Sequence, residues 1–180
     1  PVGPITLIDE VGIDVGAHVA QDLGREFKSR GAAPSSALPV LFSKGYKGKK
    51  NKKGFYRYDK PKKKGMRLPD PDVYRLLGDL PRREFPMEEI QHRVSLMMVN
   101  EAVHCLQEGI ISSPRDGDVG AILGLGFPPF RGGPFRYADA AGAQALVDIM
   151  KRFRDKGMQR FQPAEMLVDM AKRGRKFHRD

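Results

Sequence analysis

The sequence predicts an all-α chain of two related helical units, and three observations predict it. Apolar residues recur at steps of three or four over long stretches, which places them on one face of a helix. Little of the chain has the strict alternation of a strand. The stretch after Gly3-Pro4 is matched, at a constant offset, by the stretch after Gly133-Pro134, the self-similarity expected of a duplicated unit.

Taken in order, Ile8, Val11, Val15, Val19, Leu23 and Phe27 form one stripe of an amphipathic helix running from Pro4 to Phe27. Pro4 sits in its first turn, where a missing N–H costs least. Residues 31–36 read as a loop and Ala37 to Phe42 as a short helical piece. Glycines and dense lysines over 45–58 argue against a long helix there, and the aromatic end predicts a short extended stretch. Residues 60–71 read as a connector and Asp72 to Leu80 as a short helix.

A second long helix is predicted from Met87 to Ile110, with Ile90, Val94, Met97, Met98, Leu106 and Ile110 marking its buried face. Ser113-Pro114-Arg115-Asp116 combines a capping hydroxyl, a proline at the first position and an acid three residues on, a helix start. The helix it opens is glycine-rich and ends near Leu123. Residues 126–134 form a rigid loop that feeds a helix from Phe135 to Phe153, and a last helix, Pro163 to Arg173, precedes a basic tail. The domain boundaries that follow are a first unit at 1–58, a connector at 59–85 and a second unit at 86–180.

In the repeat, Ile5 stands opposite Phe135, Leu7 opposite Tyr137, Asp9 opposite Asp139, Gly12 opposite Gly142 and Val19 opposite Ile149. The later copy has a long and a short helix before its Gly-Pro turn, and the earlier copy has neither. The face from Ile8 to Phe27 is therefore expected to lack its cover, each large side chain so exposed forfeiting about 1.5–3 kcal/mol of burial. The chain opens on Pro1, and Pro1-Val2-Gly3-Pro4 reads as a turn entering a helix, so the chain is expected to have been cut from something longer.

Bulk composition narrows the class. At 180 residues, 40% apolar and 30% charged, the chain suits a soluble globular protein. No apolar run approaches the roughly 18–20 residues of a membrane span, and no signal-peptide pattern opens the chain. The single cysteine, Cys105, fits a reducing compartment. The C-terminus carries no peroxisomal tripeptide. A cytoplasmic home is expected, with the mitochondrial matrix as the alternative. The net charge of +10 comes from one segment: Lys44 to Arg67 holds twelve Lys or Arg and one acid, Asp59.

Residues 1–14, Pro1 to Asp14, resemble the start of the C-terminal domain of 3-hydroxyacyl-CoA dehydrogenases. The stretch from Gly48 to Tyr56 is similar to that family's basic, glycine-punctuated run ending in Gly-Phe-Tyr, with lysine at one usual glycine position. Asn100-Glu101-Ala102, Arg115-Asp116-Gly117-Asp118-Val119-Gly120 and the run from Gly124 to Pro134 are similar to the fatty-oxidation α subunits, in which this domain is duplicated. The resemblance spans 1–58 and 86–180.

It implies a fold like the 6-phosphogluconate dehydrogenase C-terminal domain, without a Rossmann domain in this chain. It also implies a parent with enoyl-CoA hydratase (crotonase-like) and NAD-binding Rossmann domains, which hydrates trans-2-enoyl-CoA and oxidises L-3-hydroxyacyl-CoA to 3-ketoacyl-CoA. Acyl-CoA, a thiolase β subunit and homo-oligomer contacts are the implied partners. The family's catalytic Ser, His, Glu and Asn have no counterpart here: in the second copy His92 stands at the asparagine position. No catalytic residue is therefore expected in this chain, which is expected to be inactive alone. Pro1, Val2, Gly3 and Pro4 are candidates to line the acyl pocket, and Lys49 and Lys50 to meet the phosphates of coenzyme A.

Other readings compete. Gly124-Leu125-Gly126 lacks the spacing of a dinucleotide fingerprint, so NAD bound by this chain is not expected. His18, His92, His104 and His178 show no paired-ligand spacing, and a metal site is not expected. His92 beside Glu88 and Glu89 reads as a solvated helix face, Cys105 as a small buried residue, and Asp9 and Asp139 as carboxylates complementing helix dipoles. The lysine block admits solvated surface charge, coenzyme A phosphates, or single-stranded nucleic acid held with Tyr46, Phe55, Tyr56 and Tyr58. That last option, a basic interaction module acting through residues 44–67, is the rival function.

Overall fold

The computed structural model describes residues 2–32, 35–59, 67–78 and 83–178. It divides into two compact units, Pro1–Arg83 and Glu84–Asp180.

The first unit holds α1 (Pro4–Val11), α2 (Ile13–Glu26), α3 (Ala37–Ser43) and α4 (Pro71–Leu76). The helix read as continuous from Pro4 to Phe27 is two helices. Gly12 breaks it with φ 120° and ψ 132°, a left-handed conformation open to glycine because it has no Cβ. The apolar stripe keeps its period across the break, which is why the sequence reads as one helix. The α2 helix packs on α1 and α3, and α3 on α4. The core is small: Ile13, Leu41 and Val73, ringed by Ile8, Leu38, Phe42 and Phe55. Residues 67–78, inside the stretch read as a connector, contribute Val73 to that core, and Asp70 caps α4 by accepting from the Asp72 N–H. Most of the remaining connector, 60–66 and 79–82, lies outside the described residues.

The second unit holds α5 (Met87–Gln107), α6 (Pro114–Leu125), α7 (Pro134–Ala141), α8 (Ala143–Asp155) and α9 (Glu165–Lys172). Here too a predicted single helix is broken, at Gly142, with φ 84° and ψ 123°. Gly12 and Gly142 occupy equivalent places in the repeat. Ser113 caps α6 as its sequence predicts, accepting from the Asp116 N–H at 3.1 Å. Leu96, Val99 and Val103 of α5 meet Phe135, Leu146, Met150, Phe161 and Leu167 in the core.

The buried face of α5 differs from the predicted one. Leu96, Val99, Asn100 and Val103 are buried, whereas Ile90, Val94 and Ile110 are exposed. Asn100 conceals the register in the sequence: its amide donates to the Gln162 carbonyl and accepts from the Ala164 N–H, both at 2.9 Å, so a polar residue lies on the inward face. Among the described residues, ladder pairing is confined to isolated bridges at Gly48–Lys53, Lys53–Arg57 and Tyr56–Pro69, the short extended stretch expected at the aromatic end.

Close packing of α6 on α7 depends on Gly117. A Cβ there would fall 2.5 Å from the Phe135 ring and 2.7 Å from Ile111. Gly117→Ala is expected to destabilise the second unit by about 1–3 kcal/mol, because overpacking forces a fully buried ring to shift. The midpoint of urea unfolding followed by circular dichroism measures it.

Candidate functional site

Asp9 organises the first unit. It lies near the end of α1 and is fully buried. Its Oδ1 accepts the Phe55 N–H at 2.9 Å, and its Oδ2 accepts the Tyr56 N–H at 3.1 Å and the Tyr58 hydroxyl at 3.0 Å. Dipole complementation, the role expected for it, is corrected: the carboxylate is a clasp that fastens the segment 48–58, hereafter the strap, to α1. Burial, and then the Asp9 carboxylate to which it donates, push the Tyr58 pKa well above the ordinary tyrosine value, so this hydroxyl stays a donor. Gly54 lets the strap approach, since a Cβ there would lie 2.5 Å from both Asp9 oxygens.

Two lysines finish the fastening. Lys49 Nζ reaches Glu10 at 2.7 Å and Lys50 Nζ reaches Asp14 at 2.9 Å. The Lys50 ammonium holds the Asp14 carboxyl below its ordinary value. Lys47, Lys52 and Lys53 remain exposed, while Phe55 packs against the core and Tyr58 turns inward onto Asp9. Tyr46 also packs against that core, so three of the four aromatics singled out as a stacking platform serve the interior.

Among the other candidates, Pro1 lies outside the described residues, and Val2, Gly3 and Pro4 are exposed at the start of α1. Lys49 pairs with Glu10, six residues beyond Pro4, or about 9 Å along the axis at 1.5 Å per residue. The two groups of candidates flank α1 from opposite ends.

The second unit repeats the clasp. Asp139 Oδ1 accepts the Phe177 N–H at 2.7 Å, and its Oδ2 accepts the His178 N–H at 2.9 Å. The dipole role is corrected here in the same way. A further carboxylate, Asp118, was not singled out from sequence. It is buried in α6 and accepts the Phe135 N–H at 2.7 Å and the Arg136 N–H at 3.3 Å, capping α7 from outside that helix. The His178 imidazole Nε2 lies 2.7 Å from its Oδ2. One tail residue thereby touches both carboxylates, beside a cleft of about 330 Å³ lined in part by Arg115 and Arg136.

Of the remaining histidines, His92 lies 4.0 Å from Glu88 beside a cleft of about 230 Å³, His104 lies 3.9 Å from Glu108, and His18 is exposed with Nδ1 on the Asp14 carbonyl. Among the described residues, no group of three or more His, Cys, Asp or Glu could hold a metal ion, and no helix is long and apolar enough to cross a membrane. A dinucleotide pyrophosphate needs backbone N–H groups at a helix N-terminus. Gly124 and Gly126 instead sit at the C-terminal end of α6, with Gly126 its left-handed C-cap, so these glycines do not fit NAD.

Two helical units, each fastened by a carboxylate near the end of its Gly-Pro helix, Asp9 fully buried and Asp139 half-buried, define a duplicated all-α domain. A family model described as the C-terminal domain of 3-hydroxyacyl-CoA dehydrogenase matches residues 1–58 and 90–179, and the chain belongs to that family. It is 51% identical over 178 residues to the fatty acid oxidation complex subunit alpha of Shewanella loihica, covering 99% of this chain and 25% of that protein. The Shewanella amazonensis protein of the same name is also 51% identical, with the same coverage. The chain thus spans about a quarter of the length of these curated relatives.

Among solved structures, 3-hydroxybutyryl-CoA dehydrogenase from Escherichia coli K12 aligns with a TM-score of 0.72 at 20% identity, over 94% of this chain and 51% of that one. The dehydrogenase part of multifunctional enzyme 1 from Caenorhabditis elegans aligns with a TM-score of 0.61 at 24% identity, over 93% and 38% respectively. These two likenesses support the fold.

Proposed function

We propose that this chain is the helical C-terminal portion of a multifunctional fatty-acid β-oxidation subunit that oxidises L-3-hydroxyacyl-CoA to 3-ketoacyl-CoA with NAD. The observation that carries the reading is the 51% identity, over 99% of the chain, to proteins named as fatty acid oxidation complex subunit alpha. In this reading the hydride acceptor and the acid–base residues belong to Rossmann and crotonase regions elsewhere in the polypeptide. A thiolase β subunit is the partner, homo-oligomer contacts complete the assembly, and the bacterial relatives favour the cytoplasm. Val2, Gly3 and Pro4, with Pro1, border the acyl group, and Lys49 and Lys50 meet coenzyme A phosphates. The exposure of both ion pairs supports the lysine assignment, since a phosphate can displace Glu10 or Asp14 at little cost.

The test has two arms. The chain alone, given NAD and L-3-hydroxybutyryl-CoA, is expected to yield no NADH, whereas a full-length protein carrying it turns over. In that full-length protein the double variant Lys49→Gln, Lys50→Gln is expected to raise KM about fivefold at constant kcat, the effect of losing roughly 1 kcal/mol of uniform binding. Turnover by the chain alone, or a full-length protein without dehydrogenase activity, overturns the reading. An unchanged KM overturns the lysine assignment.

A further inference from the structure

Lys52 of the strap adopts a conformation that its own chemistry disfavours. It lies in the left-handed region at φ 63° and ψ 15°, and among the described residues it is the only non-glycine with a positive φ. A Cβ there crowds the following carbonyl oxygen, whereas glycine takes the same backbone freely. The side chain brings no packing in return, since Lys52 is exposed. Strain of this kind persists where the surroundings hold it, and it gathers at sites that bind. Asn51 does the holding: its Oδ1 accepts the Lys47 and Lys53 N–H groups at 3.1 and 3.3 Å, and its amide donates to the Gly45 carbonyl at 2.7 Å. The Gly48 N–H donates to the Lys53 carbonyl at 2.7 Å and closes the loop.

The loop divides its lysines into two kinds. Lys49 and Lys50 are each matched by one carboxylate, Glu10 and Asp14. Lys47, Lys52 and Lys53 are exposed, and among the described residues their ammonium groups meet no carboxylate. Coenzyme A carries phosphate of two kinds as well. Each diester phosphate of its pyrophosphate bears one negative charge and can exchange with one carboxylate, charge for charge. Its 3′-phosphate is a monoester with a second pKa near about 6, so at neutral pH it bears close to two charges and calls for cations not already neutralised. Tyr46, Phe55 and Tyr58 serve the interior, so the loop offers an extended nucleic acid strand no row of stacking rings.

We propose that Lys52 recognises the 3′-phosphate of the coenzyme A thioester, with Lys47 and Lys53 beside it. The inference rests on the reading of the chain as part of a 3-hydroxyacyl-CoA dehydrogenase. Within that reading it assigns specificity for a group that a thioester on a bare phosphopantetheine arm does not possess. Lysine suits the task, since its ammonium is a point charge on a flexible stem and meets a phosphate from many directions. Glycine in its place would relax the loop and lose the charge. Stability and affinity are therefore set against one another at this one residue.

The test gives the full-length protein that carries this chain two substrates, L-3-hydroxybutyryl-CoA and its 3′-dephospho analogue. The ratio of their kcat/KM values is expected to favour the 3′-phosphate about tenfold in the parent protein. In Lys52→Gly and Lys52→Gln alike it is expected to fall about fivefold, a factor equivalent to about 1 kcal/mol. Urea unfolding of this chain separates the two variants. Lys52→Gly is expected to shift the unfolding equilibrium of the first unit about fivefold toward the folded state. Lys52→Gln keeps the strain and is expected to leave that equilibrium where it was. A ratio near one in the parent protein, or unchanged in either variant, overturns the proposal. So does an equal loss for the two substrates, which would make the lysine a general attractor of anions. No gain in stability from Lys52→Gly overturns it too, because the lysine would then carry no strain for a ligand to explain. Absence of dehydrogenase activity toward either substrate sinks the underlying reading and this one with it, whereas activity with an unchanged ratio sinks this one alone.

Discussion

Asp9→Ala is expected to unfold the first unit selectively, lowering its stability by about 3–5 kcal/mol. The substitution leaves the Phe55 and Tyr56 N–H groups and the Tyr58 hydroxyl without their acceptor, and each polar group stranded in a part-buried site costs about 1–3 kcal/mol. A unit whose buried core is Ile13, Leu41 and Val73 has little reserve against such a loss. The readout is built into the sequence: of five tyrosines, Tyr46, Tyr56, Tyr58 and Tyr74 lie in the first unit and Tyr137 alone in the second, and there is no tryptophan. Tyrosine fluorescence in a urea titration therefore follows the first unit, while circular dichroism follows both. Tyr58→Phe removes one donor of the three and keeps the acceptor, so it is expected to cost about 1 kcal/mol. A fluorescence midpoint in Asp9→Ala equal to that of the parent chain would sink the clasp.

Asp118→Ala is expected to do comparable damage in the second unit, again about 3–5 kcal/mol, because it releases the Phe135 and Arg136 N–H groups and the His178 ring together. Asp139→Ala releases only two backbone donors, Phe177 and His178, and is expected to cost roughly half as much. Amide exchange separates the variants. Loss of Asp118 exposes Phe135 and Arg136 first, and loss of Asp139 exposes Phe177 and His178. Equal exchange at Phe135 in Asp118→Ala and in the parent would show that the packing of α6, not the carboxylate, holds the start of α7.

The order of the helical segments was legible because the 3.6-residue period survives in nearly every element. The two breaks were not, because Gly12 and Gly142 interrupt the backbone without interrupting the apolar stripe. The inward face of α5 was hidden by Asn100, a polar residue whose partners, Gln162 and Ala164, lie more than sixty positions downstream. The alignment of Asp9 with Asp139 was readable from the constant offset, but their function was not. Asp9 meets Phe55 46 positions on, whereas Asp139 meets Phe177 after 38. The intervening segments differ by eight residues, which destroys any fixed spacing that a sequence comparison could follow. Asp118 gave no signal by itself. It is one acid among glycines, and its importance emerges only when the fold brings Phe135 back to it.

Both carboxylates grip their straps through two successive main-chain N–H groups, and side chains add to the hold: Tyr58, Lys49 and Lys50 in one unit, the His178 ring in the other. The anchoring carboxylate is common to the two units, while the segment that reaches it differs in length and chemistry between them. The two straps differ accordingly: one is a lysine-rich surface segment, the other a basic stretch that carries His178. A duplicated module fastened in this way can diverge in what it touches without losing what closes it.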